Sequence, residues 1–208
     1  DNPYSFILND SPLSILSVAG AKECCMELNS LSKAHNMSGW RIGMLAGDKE
    51  LVAEVLKVKS QMDSGMFKPM QLAAVKALEQ GPEWFRSLNE EYSRRKVAAG
   101  RIFDLLGAEY DHDSSGLFLW GHIGKANAFL RGSSDKGGAP SCGETGNEES
   151  LGEMLSDRLL YDAGVFITPG FIFGKNGRDY IRISLCAKPE VLAQAERRIR
   201  GLEMQYFA

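Results

Sequence analysis

Ser30-Leu31-Ser32-Lys33-Ala34-His35-Asn36-Met37-Ser38-Gly39-Trp40-Arg41-Ile42-Gly43 is the stretch on which the fold turns. An apolar strand over 24–29 empties into two hydroxyls and a lysine, and an arginine flanked by glycines follows. Each of these side chains has a chemical use. A lysine amine condenses with an aldehyde to a Schiff base once neighbouring charge or desolvation lets it reach the neutral form. Hydroxyls and a planar guanidinium together hold a phosphate. Gly39 and Gly43 are expected to let the backbone turn tightly, so that Arg41 comes back toward Lys33. Lys33 alone would be an ordinary surface lysine, but the combined pattern is the one a phosphorylated aldehyde cofactor requires.

Working outward, residues 40–46 form a second apolar run that Gly47 ends. Asp48 caps a helix over about 49–61, with Leu51, Val52, Val55 and Leu56 expected on its buried face. A further helix covers about 68–79. Gly81-Pro82 opens a long helical pattern in which Phe85, Leu88, Tyr92, Ile102, Phe103 and Leu106 recur until Gly107 stops it. Strands are expected over 117–120, 165–168 and 180–185, and helices over 150–163 and 189–202. This order predicts an α/β lobe over 1–85, a connecting helix over 86–107, and an α+β lobe over 108–208. The stretch 132–149 is rich in Gly, Ser and Glu and almost without apolar residues, which predicts a mobile surface loop.

Composition narrows the function. The chain has 208 residues, 44% hydrophobic and 25% charged, enough for one or two globular units with a real core. A net charge of -3 offers no basic surface for a phosphate backbone, so nucleic acid is excluded as a partner. Cys24, Cys25, Cys142 and Cys186 have neither zinc-site spacing nor the density of a disulfide framework, which points to a reducing, cytoplasmic setting. No apolar run reaches the roughly 18 residues of a membrane helix. His35, His112 and His122 lack ligand spacing, so no metal is expected. Phe118, Trp120, Phe171 and Phe173 are expected in the core. Ile181, Ile183 and Leu185 alternate with Tyr180, Arg182 and Ser184, which sets Arg182 on the polar face of its strand, free to meet a carboxylate.

Ser-x-Ser-Lys, with Gly-x-Arg-x-Gly beginning six residues after the lysine, resembles the lysine signature of the class I and II aminotransferases, which carry pyridoxal 5'-phosphate. The resemblance runs along nearly the whole chain outside 132–149. It implies that Lys33 is the aldimine lysine and that Ser30, Ser32 and Arg41 hold the cofactor phosphate. The family's Asp-x-Ala/Pro-Tyr motif is matched by Asp1-Asn2-Pro3-Tyr4. By that match Asp1 pairs with the protonated pyridine nitrogen and Tyr4 hydrogen-bonds the ring oxygen. Residues 165–182 resemble the family's closing pattern of strand, Pro-Gly, Phe-Gly and arginine, which makes Arg182 the residue that grips the substrate's α-carboxylate.

The fold implied is the C-terminal part of the fold type I large domain, with an incomplete sheet, followed by the small α+β domain. The activity implied is ping-pong transfer of an amino group between an amino acid and a 2-oxo acid, in a homodimer. Within the family the sequence is most similar to the branch of LL-diaminopimelate and alanine aminotransferases. The chain opens at Asp1 rather than Met, and the family's upstream glycine-rich phosphate turn, stacking aromatic and ring-facing asparagine are not in it. The expectation is a truncated chain with weak cofactor affinity and little or no activity alone.

Three alternatives share some of these residues. A carbon-sulfur lyase of the same fold uses the same lysine, aspartate and arginine. A pyridoxal-phosphate module in a regulator would bind without turnover. Ser30-Leu31-Ser32-Lys33 also satisfies the Ser-x-x-Lys pattern of penicillin-binding proteins and serine β-lactamases, but no Lys-Thr-Gly or Lys-Ser-Gly follows.

Overall fold

The computed structural model describes residues 2–130 and 150–206. Asp1, Cys142 and the expected loop over 132–149 lie outside those residues. The chain divides into two compact units, Asp1–Glu91 and Tyr92–Ala208.

In the first unit, β1 (Met26–Ser30) leads directly into the single-turn helix α1 (Leu31–Ala34), and β2 (Gly43–Gly47) returns antiparallel to β1, from Met26 opposite Gly47 to Ser30 opposite Gly43. Trp40, expected at the start of the second strand, instead belongs to a 3-10 turn over Ser38–Trp40. Asp48 caps α2 (Lys49–Met62) as its sequence demands, accepting from the amides of Glu50 and Leu51 at 2.9 Å each. The buried face expected on α2 is not observed. No α2 residue is buried, and Leu56 is 61% exposed. Helical periodicity shows which face is apolar; it does not show what covers it. α3 (Lys68–Leu78) also lacks a fully buried residue, but its Met70, Ala73, Ala74 and Ala77 pack on a small core of Leu31, Met37 and Ile42.

α4 (Pro82–Leu105) contributes to both units. In the second unit, β3 (Ala108–Tyr110), β4 (Phe118–Ile123), β5 (Thr168–Pro169) and β6 (Tyr180–Ser184) form an antiparallel sheet in the order β3-β4-β6-β5. Leu119, Ile123, Ile181 and Ile183 enter the core together with Ile102 and Phe103 of α4, Leu155 and Leu159 of α5 (Leu151–Ala163) and Ile199 of α6 (Pro189–Tyr206). The strand expected over 165–168 shrinks to two residues. Its approach is held by α5 instead: the Val165 amide donates to the Leu159 carbonyl at 3.0 Å, and the buried Ser156 hydroxyl donates to the Ile167 carbonyl at 2.5 Å.

The other face of this sheet carries Phe118, Trp120 and His122 beside Tyr180, Arg182 and Ser184, as the two-residue alternation dictates. The expectation that the aromatics fill the core is therefore corrected. Trp120 is 37% exposed, because the inward positions of β4 are already filled by Leu119, Gly121 and Ile123, and Phe173, in a 3-10 turn outside the sheet, is 50% exposed. Among the described residues no helix is long and apolar enough to cross a membrane, and no group of three or more potential ligands could hold a metal ion.

Candidate active site

Lys33 sits on α1, whose orientation follows from its apolar neighbours. Leu31 and Ala34 are buried, and the α1 end is tied down by the Trp84 indole, which donates to the Ala34 carbonyl at 2.8 Å. With those two positions inward, Ser32 and Lys33 remain only partly covered. The Lys33 ammonium has no hydrogen bond or ion pair among the described residues.

The two serines form one polar unit. The Ser30 hydroxyl accepts the Ser32 amide at 3.1 Å and lies 2.8 Å from the Ser32 hydroxyl. It also reaches the Ile42 carbonyl at 3.2 Å. No hydrogen bond joins Ser30 to Lys33, so the pair is not arranged as nucleophile and base, and the acyl-transfer alternative loses its geometric footing.

Arg41 is exposed and has a left-handed backbone, φ 53° and ψ 46°. One guanidinium nitrogen donates to the Ser38 carbonyl at 3.0 Å; the remaining donors have no partner among the described residues. The turn is made differently from the expectation. The positive φ falls on Asn36 and Arg41 rather than on Gly39 or Gly43. Gly43 has another reason to be glycine: a Cβ there would stand 2.9 Å from the Asn29 carbonyl oxygen of β1.

The Asn2 amide donates to the Leu28 carbonyl at 3.2 Å, which sets Asn2 beside β1. Tyr4 is partly buried. Asp1 itself lies outside the described residues. Two further side chains of the first unit make contacts that the sequence did not foretell. His35 stacks edge-on against Phe85 with centroids 5.5 Å apart, its Nδ1 is buried without a partner, and burial lowers its pKa below the ordinary 6.5. Asn89 bridges the Leu8 amide at 2.9 Å and the Phe6 carbonyl at 3.1 Å.

Arg182 belongs to the second unit, on β6 opposite Trp120 of β4 and Thr168 of β5. Its guanidinium carbon lies 4.2 Å from the Phe118 ring centroid and 4.0 Å from that of Phe173. No carboxylate pairs with it among the described residues, and its Nε is buried and unpartnered. A cavity of about 320 Å³ is lined in part by Arg182, Thr168, Ser184, Phe166 and Arg198. The strand alternation thus placed Arg182 correctly, but nothing in the spacing foretold its two aromatic neighbours.

The chain is 34% identical to an LL-diaminopimelate aminotransferase of Natranaerobius thermophilus over 100% of its own length and 47% of the relative's. It is 31% identical to the glutamate-pyruvate aminotransferase AlaC of Escherichia coli over 94% of its length and 42% of the relative's. Among solved structures, apo-BacF of Bacillus subtilis superposes with a TM-score of 0.77 at 31% identity, covering 97% of this chain and 46% of that one. An aminotransferase of Staphylococcus aureus does so with a TM-score of 0.76 at 25% identity, over 99% and 49% respectively. The chain therefore spans about half the length of the relatives it matches. The family model described as aminotransferase class I and II matches residues 4–199, and the chain belongs to that family.

Proposed function

We propose that this chain forms part of a pyridoxal-phosphate-dependent aminotransferase that moves an amino group between an amino acid and a 2-oxo acid. The observation that carries the proposal is an amine without a partner among the described residues, Lys33, placed one residue beyond a hydroxyl pair and followed by a guanidinium with donors left open there. That donor set suits a phosphorylated aldehyde: Ser30, Ser32 and Arg41 for a phosphate dianion, Lys33 for a carbonyl carbon. When bound, pyridoxal 5'-phosphate supplies the aldehyde that captures the amino group and a ring that withdraws electrons from the substrate's α-carbon.

The chain's own residues then have distinct tasks. Lys33 Nζ would hold the cofactor between turnovers, take the proton from the substrate's α-carbon and deliver it to the former aldehyde carbon, two bonds away. Asp1 is assigned to the pyridine nitrogen and Tyr4 to the ring oxygen. Arg182 receives the α-carboxylate of each substrate through parallel hydrogen bonds from its guanidinium edge. On this reading residues 1–85 belong to the cofactor-binding domain, 86–107 to a connecting helix and 108–208 to the small domain. The whole protein is proposed to act as a homodimer, as the family resemblance implies, and to work in the cytoplasm, in line with free thiols at Cys24, Cys25 and Cys186.

Borohydride reduction of the full-length parent protein with pyridoxal 5'-phosphate, followed by peptide mapping, tests the assignment. The expected product carries its label on the Lys33 peptide, and Lys33→Ala loses it. Labelling of other lysines with Lys33 unmodified, or undiminished labelling of K33A, overturns the reading.

A further inference from the structure

We propose that Phe118 and Phe173 are positioning residues, whose rings hold the guanidinium of Arg182 so that its hydrogen-bonding edge stays open to a carboxylate. This deepens the function proposed above and rests on the assignment of Arg182 to the substrate carboxylate.

A strand arginine is ordinarily fixed by an acidic partner, which also uses up its donors and neutralises its charge. Arg182 has no such partner among the described residues, and its Nε is buried without a hydrogen bond. What touches it is aromatic. The guanidinium carbon is 4.2 Å from the centroid of Phe118 and 4.0 Å from that of Phe173, well inside the roughly 6 Å over which a ring face attracts a cation.

The two kinds of contact do not compete. A ring meets the face of the guanidinium, whereas a carboxylate binds in its plane, through the fork of N–H donors. Rings can therefore restrict the side chain and strip water from its faces without occupying any donor. The long arginine side chain then loses less rotamer freedom when the ligand arrives.

The rings are themselves held. Phe118 projects from β4 on the face that carries Arg182. Phe173 ends a 3-10 turn over Gly170–Phe173, and meets Trp120 edge-on at 5.6 Å. Trp120 in turn stacks on Tyr180 at 5.4 Å with an interplanar angle of 17°. The chain reverses after Phe173 at Gly174, whose φ of 125° is disfavoured for any residue with a side chain.

The test uses the 208-residue chain labelled with ¹⁵N-arginine, with the Arg182 Nε–H signal identified by its absence in Arg182→Lys and sodium propionate as the carboxylate probe. In the unmodified chain the signal should be displaced by ring currents and should move further as propionate binds. Phe173→Leu keeps apolar volume at a half-exposed position but removes the π face; it should relax the displacement and weaken propionate binding by about fivefold, as losing one cation–π contact implies. Phe173→Tyr should recover binding to within about twofold, and Phe118→Leu should behave like F173L. If the rings served packing alone, leucine would do as well as phenylalanine and tyrosine would bring no recovery. Propionate binding that is unchanged in both leucine variants overturns the positioning role and leaves the carboxylate assignment standing. An Arg182 signal that ignores propionate in the unmodified chain overturns that assignment, and the positioning role with it.

Discussion

Gly152→Ala should destabilise the second unit, although the same change in most helices does the opposite. Gly152 lies in the first turn of α5, where alanine is ordinarily worth up to about 1 kcal/mol over glycine. Here the helix start is docked on backbone. The Gly152 amide donates to the Arg178 carbonyl at 2.9 Å, and the Ser150 hydroxyl donates to the same oxygen at 2.7 Å. A Cβ at 152 would stand 3.0 Å from the carbonyl carbon of Tyr180 and 3.1 Å from the Arg178 oxygen, and would overlap the Tyr180 oxygen outright. All three atoms are main chain, so no rotamer change relieves the overlap; α5 must withdraw from the start of β6. Overpacking costs about 1–3 kcal/mol and each lost hydrogen bond about 1 kcal/mol. After the propensity gain is subtracted, the net loss should be about 3 kcal/mol. Urea unfolding followed by Trp120 fluorescence, with Trp40 and Trp84 replaced by phenylalanine, reads this as a midpoint lowered by about 1–3 M. Gly201→Ala in α6, with nothing within 4 Å of its Cβ, is the control and should be neutral or slightly stabilising. A Gly152→Ala midpoint at or above that of the parent would refute the reasoning.

Two further predictions concern stability. Ser156→Ala strands the buried Ile167 carbonyl and should cost about 1–3 kcal/mol in the same urea experiment; a change below a few tenths would mean that water replaces the hydroxyl. His35 titrates below its unfolded value of 6.5 because burial disfavours its charged form, so on acidification the unfolded chain takes up the proton first. The first unit should therefore lose stability as the pH falls below 6.5, fully so once the pH passes the lowered folded value. His35→Phe, which keeps a ring against Phe85, should flatten that part of a thermal-melting-versus-pH curve; an unaltered slope would assign the acid sensitivity to other groups.

Local chemistry was legible in the sequence where one residue decides one contact. Asp48 announced the start of α2, and two-residue alternation announced the side of β6 from which Arg182 projects. The Lys33 neighbourhood was legible as a set of donors. What remained hidden depends on residues distant in sequence. The Trp84 bond to the Ala34 carbonyl spans 50 positions, and Phe173 over Arg182 depends on where a 3-10 turn ends. The glycines in the lysine signature were read as hinges, yet Gly43 is constrained by the approach of β1, and the sharp backbone conformation falls on Arg41. The apolar stripe of α2 shows the opposite failure, a pattern that was correctly located but whose cover could not be deduced from periodicity.

The left-handed backbone of Arg41 carries a consequence for engineering. A residue with a Cβ gives up roughly 1–2 kcal/mol in that conformation, which glycine avoids and asparagine partly offsets. Libraries selected for thermal tolerance alone should therefore drift toward glycine or asparagine at position 41, trading the proposed phosphate anchor for a relaxed dihedral. Arginine retained there under such selection would mean that the guanidinium repays its strain through a bond that only the liganded protein makes.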